Sequence, residues 1–152
     1  MDKLTEASLV SLATSTIALQ FVFFGWRLLR EIAIGDKPPP SETEYWRMRF
    51  PWCDWINLFS LASVTVACLV VPIVTERFGR VSRAVLAGAI VLWLCHPISI
   101  ACHYELFRGG RQLIYGDPKT WPQTTKSERV VTFISVLLAL IVGVVEWRLT
   151  VS

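Results

Sequence analysis

Arg27 and Arg30, then Arg108 and Arg111, stand in two stretches that read almost alike, "WRLLREIAIGDKPPP" from Trp26 and "FRGGRQLIYGDPKTWP" from Phe107. In each, an aromatic residue leads into two arginines three residues apart, and Gly-Asp and proline follow. Guanidinium is planar, permanently charged and forked, which suits phosphate and carboxylate groups. With Arg47 and Arg49 these pairs form a candidate site for a soluble anionic ligand or an acidic partner; the plainer alternative is an anchor for anionic lipid headgroups. No glycine-rich phosphate loop accompanies them, since Gly109-Gly110 alone does not make one.

His96 and His103, with Pro97 beside the first, are the other candidates. Seven residues apart on one helix, two side chains lie on nearly one face, about 10 Å apart along the axis. Pro97 removes one helical hydrogen bond and invites a kink near Trp93. The group reads as a pore-lining or gating element, or as neutral imidazoles hydrogen-bonded between helices. Two histidines pointing one way cannot sandwich a single haem iron, so a haem would need a second subunit, and no cofactor is expected. The four cysteines form no CxxC pair, and three lie in apolar stretches, so they read as small buried hydrophobes and no metal is expected.

The elements that must hold these groups follow from hydropathy. The chain has 152 residues and a mean hydropathy of +0.49, concentrated in four stretches. Ala7–Trp26, Trp55–Thr75, Ala84–Tyr104 and Val130–Val145 contain no Asp, Glu, Lys or Arg. A hydrocarbon layer about 30 Å thick takes about 20 helical residues, and backbone in lipid must satisfy its own hydrogen bonds. The expected fold is therefore all-α: a polytopic integral membrane protein with one four-helix domain over residues 1–152. The helices are expected at about 7–34, 54–75, 82–115 and 126–149, with an interfacial segment at 42–50, where Tyr45, Trp46 and Phe50 alternate with Arg47 and Arg49. Aligning the Gly-Asp pairs suggests two parallel two-helix repeats, with Ser41–Glu44 and Thr125–Glu128 as matching capping boxes. Asp54 is placed to cap the second helix. The fourth, nearly all aliphatic, is expected to face lipid.

Charge sets an expected orientation. The two longer loops carry ten Lys and Arg, against five on the other side. By the positive-inside rule both termini are expected outside, and the expected location is a bacterial inner (plasma) membrane. Trp26, Trp52, Trp55, Trp121 and Trp147 fall near the expected boundaries.

Along the first helix Ser8, Ser11 and Ser15 recur at helical spacing with Thr14, either letting helices approach closely or lining water. Four short helices enclose little space, so a pore is expected on the axis of a homo-oligomer. No Ser-His-Asp set, HExxH or paired carboxylates in a plausible pocket are present, and Glu105 and Glu146 are expected to be solvated at helix ends, so no enzyme is expected. Two functions follow: an oligomeric ion channel gated by an anionic ligand or partner at the cytoplasmic arginines, or a non-catalytic accessory or scaffold subunit of a larger membrane transport complex. Membrane lipids are the expected surroundings, and nothing indicates nucleic-acid binding.

Overall fold

The computed structural model describes residues 5–35, 51–116 and 124–150; among these the chain is helical, with short turns and no strand. Helix α1 spans Glu6–Gly35, α2 Trp52–Thr65, α3 Val71–Thr75, α4 Arg80–His103, α5 Arg111–Tyr115 and α6 Lys126–Leu149. A π-helical turn at Val66–Val70 joins α2 to α3, so Trp52–Thr75 runs as one rod. Four rods are long and apolar enough to cross a bilayer: Glu6–Arg30, Trp52–Thr75, Arg80–His103 and Lys126–Leu149.

The π turn has a local cause. Pro72 has no N–H to give, so a carbonyl one turn back loses its partner. The buried Ser82 hydroxyl donates to the Ala67 carbonyl at 2.6 Å, and the Cys68 thiol donates to the Ser82 carbonyl at 3.2 Å. Two side chains thereby tie the bend of one rod to the start of α4. At the same end the Phe78 N–H donates to Glu6 Oε1, which fixes the start of α1 against the turn before α4.

The apolar core lies in this half of the bundle, around Leu9, Ala13, Val64, Cys68, Phe78 and Leu86. The most extensive helix pair is α4 with α6. It closes on a seam of small residues, Ala84 and Gly88 on α4 against Ala139 and Gly143 on α6. A Cβ added at Gly88 would lie 3.2 Å from the Ala139 carbonyl oxygen, and one at Gly143 would lie 3.2 Å from that of Ala84. Helices this close gain van der Waals contact that larger residues would block. Gly88→Val should force the pair apart and cost about 1–3 kcal/mol. Thermal unfolding in micelles reads this directly, and an unchanged midpoint would show that the seam tolerates separation.

Three expectations change here. The third helix does not reach residue 115: α4 stops at His103, and a 3-10 turn at Leu106–Arg108 precedes α5. Glu105 (φ 52°), Gly109 (φ 96°) and Gly110 (φ 90°) adopt left-handed backbone, which ends a right-handed helix. Arg27 and Arg108 thus stand on different local structures, one mid-helix and one in a turn, although the sequence alignment equates them. Helix α6 is largely exposed but not solely outward: Glu128, Thr132, Ser135 and Ala139 form a buried stripe. Glu105 is buried as well, accepting from the Ser127 hydroxyl at 3.2 Å. Residues 42–50, with Arg47 and Arg49 and the first capping box, lie outside the described residues.

Candidate functional site

Polar side chains collect at the other end of the bundle, where α1 runs on past the apolar core and α2 and α6 begin. The sequence dictates part of this. Pro51 is the N-cap of α2, so Asp54 stands at the third position of that helix. Thr125 is the N-cap of α6 and forms a full capping box with Glu128, also at the third position. Each even-numbered membrane-length helix therefore brings one carboxylate to its first turn, near the positive end of the helix dipole.

Each carboxylate meets a cation or imidazole from an odd-numbered rod. Arg27 is 1 % exposed and so is Asp54. Arg27 Nη2 and Nε donate to Asp54 Oδ2 at 2.8 and 3.1 Å, and Nη1 donates to the Tyr104 hydroxyl at 2.8 Å. Asp54 Oδ2 faces Arg27 rather than the backbone of its own helix, and Oδ1 accepts no hydrogen bond among the described residues. On its other oxygen, His96 Nε2 lies 3.3 Å from Oδ1. Alignment there is too poor for a hydrogen bond, and both atoms are without a hydrogen-bond partner among the described residues. The ring of Phe23 stands edge-on to His96, with centroids 6.4 Å apart.

In the second cluster no buried side-chain nitrogen or oxygen stands apart from a partner among the described residues. Glu128, wholly buried, pairs through Oε2 with His103 Nδ1 at 2.8 Å. Its Oε1 accepts from the Trp52 N–H at 3.1 Å, so the start of α2 is tied to the start of α6. Arg111 donates from Nε to the His103 carbonyl and lies with Nη2 3.1 Å from His103 Nδ1. Tyr104 joins the two clusters. Its ring sits under Arg30, with the guanidinium carbon 4.3 Å from the centroid, and Arg27 and Arg111 approach at 5.6 and 5.9 Å. Such cation–π contacts strengthen with desolvation.

The candidate residues are thus distributed unevenly. Arg27, Arg30 and Arg111 converge on Tyr104, while Arg108 points outward, 70 % exposed, 3.9 Å from Glu105. Arg27 and Arg111 are buried and engaged, so an open ring of four guanidinium groups does not form. Beside Arg30, Tyr104 and Arg111 lies an open recess of about 510 Å³, reaching Gly109 and Gly110. His96 and His103 both point inward but to different helices, one to Asp54 on α2 and one to Glu128 on α6. Helix α4 continues through Pro97. Ser8, Ser11 and Ser15 all lie on the exposed face of α1, whereas Leu9, Ala13, Thr16, Gln20 and Arg27 form its buried face.

Sequence reasoning missed Tyr104, Thr132 and Ser135 as site residues and read Cys53 as inert. Asn57, Ser99, Thr132 and Ser135, with Ile56 and Leu92, line a small cavity of about 10 Å³ next to His96 and Cys53, about the room one water occupies. Cys53, Asp54 and His96 form, among the described residues, a buried group with donor atoms close enough to hold a metal ion. Toward the far end the buried side chains are mainly those of the apolar core, with Ser82 and Thr16 among them. No protein-family model, curated protein or solved structure matches the chain, so what the site does is read from its own geometry.

Proposed function

We propose that the protein is an integral membrane protein that assembles from identical copies and conducts ions along an axis lined by α1. Membrane insertion is supported by four apolar rods and by their outer surface, where Phe21, Phe59, Ile73, Val74 and Phe133 are each more than two-thirds exposed. Trp26, Trp52, Trp55 and Trp147 are also exposed, near the rod ends where an aromatic belt would sit. The ten-to-five distribution of Lys and Arg supports a plasma-membrane orientation with both termini outside.

One observation carries the conducting role. Ser8, Ser11, Thr14 and Ser15 are exposed on the outer half of α1, the longest such set of hydroxyls on the four membrane-length helices among the described residues. The interior of one protomer is closed by the apolar core, so a wet path belongs between copies. The recess at Arg30, Tyr104 and Arg111 supplies the place for an anionic gating ligand or acidic partner. Ser11→Cys and Ser15→Cys should cross-link between copies in native membranes, and a membrane-impermeant thiol reagent should block flux through them. Cross-linking from Phe133→Cys on α6, with none from α1, would place the copies elsewhere and remove the pore.

A different observation favours a second role, an accessory subunit of a larger complex. An open apolar groove of about 550 Å³ runs between α2, α4 and α6, floored by Ser60, Ala84, Gly88, Ala139 and Gly143. Small residues along such a groove suit an incoming apolar helix. Stable co-purification with a larger membrane protein, lost on Leu140→Trp at the exposed wall of the groove, would select this role over the channel.

A further inference from the structure

We propose that Cys53, Asp54 and His96 bind a thiophilic divalent transition-metal ion, with Zn²⁺ the best fit to the donors. One thiol sulfur, one carboxylate oxygen and one imidazole nitrogen lie within 4.8 Å of one another, and all three residues are buried. Sulfur, nitrogen and oxygen donors together are the set that Zn²⁺ accepts, in four-coordinate sites. Small inward shifts would bring these atoms to bonding distance.

The second observation is that the group is incomplete as it stands. Asp54 Oδ1 and His96 Nε2 are buried and face each other at 3.3 Å without an aligned hydrogen bond, and both amide atoms of Asn57 likewise have no partner among the described residues. Buried polar atoms are almost always satisfied. A cation between Oδ1 and Nε2 satisfies both at once. The adjoining cavity, with Asn57 and Thr132 on its wall, gives room for a fourth oxygen ligand, either the Asn57 carbonyl or a water.

Charge and positioning agree with this. Arg27 holds Asp54 by Oδ2 alone, which orients the carboxylate and leaves Oδ1 for the metal. On binding, the Cys53 thiol loses its proton to water and the S–H bond is replaced by a sulfur–metal bond. Thiolate and carboxylate then set two negative charges against the ion, with the Arg27 guanidinium leaving the site one net positive charge. No oxidation is involved. The other buried thiol of the rod, Cys68, is engaged with the Ser82 carbonyl and has no such neighbours among the described residues.

The test uses the full chain in detergent micelles, titrated with Co²⁺ as a spectroscopic probe. One equivalent should give a thiolate-to-cobalt charge-transfer band that one equivalent of Zn²⁺ displaces. Cys53→Ser should abolish the band, His96→Asn should lower affinity by about tenfold or more, and Cys68→Ser should leave it unchanged. In the unaltered protein, Zn²⁺ should also slow alkylation of Cys53 while leaving that of half-buried Cys95 unaffected, a readout that needs no variant to fold. Absence of the band, or its survival in Cys53→Ser, would overturn the proposal and leave water as the occupant of the cavity.

Discussion

Arg27→Met lowers the stability of the folded protein by about 3–5 kcal/mol. Both members of the Arg27–Asp54 pair are about 99 % buried, so solvent does not screen what is left when one is removed. The substitution strands a carboxylate whose Oδ1 already lacks a hydrogen-bond partner and frees the Tyr104 hydroxyl from its 2.8 Å contact. Asp54→Leu should cost a similar amount by stranding the guanidinium. The double variant, Arg27→Met with Asp54→Leu, should recover most of the loss, because a buried pair replaced by apolar side chains leaves no uncompensated charge. Thermal unfolding of the three variants in micelles decides this. Losses that simply add in the double variant would mean that the two side chains do not act as a pair.

Glu128→Ala is the second large effect, about 3 kcal/mol or more, from buried donors left unmade and a lost cap. The carboxylate serves three partners on three segments: the Trp52 N–H on α2, His103 on α4 and the Thr125 N–H at its own N-cap. Its removal loosens the junction of α2, α4 and α6 rather than a single helix end. Glu128→Gln keeps a carbonyl acceptor and the shape, and should lose roughly half as much. Amide exchange at Trp52 would report the loss locally. An alanine variant as stable as the parent, with Trp52 still protected, would contradict the role assigned to Glu128.

The four membrane-length helices were legible because an uncharged stretch of about 20 residues has few structural alternatives. The Thr125–Glu128 capping box was legible because its partners are three residues apart. Pairings across the bundle were not. Arg27 meets Asp54 over 27 positions and His103 meets Glu128 over 25, and no local spacing encodes which odd-helix cation faces which even-helix acid. One signal was available: an acidic residue in the first turn of an otherwise uncharged helix has little reason to stand there unless it is a cap or a partner. The small-residue seam was also written plainly, as Ala84 and Gly88 four apart and Ala139 and Gly143 four apart. The break after His103 was obscured by the likeness of the two arginine stretches, which favoured one long helix although Gly109-Gly110 is a strong turn signal. Sequence identity of the motif and identity of the backbone part company there, because α1 has Leu28-Leu29 where the later stretch has two glycines.

The polar clusters divide the molecule by task. Buried pairs at one end clamp the starts of α2 and α6 to α1 and α4, while the hydroxyls of α1 face outward at the other end, away from the clamp. In the proposed assembly, the clamp beside the open recess at Arg30, Tyr104 and Arg111 would bias how copies meet. The most direct measurement is ion flux through liposomes that hold the purified protein alone, with the mass of the assembly determined in the same preparation. Flux carried by a symmetric oligomer, and lost when Ser11 and Ser15 are both changed to leucine, is the predicted result. A monomer in tight liposomes would contradict the channel.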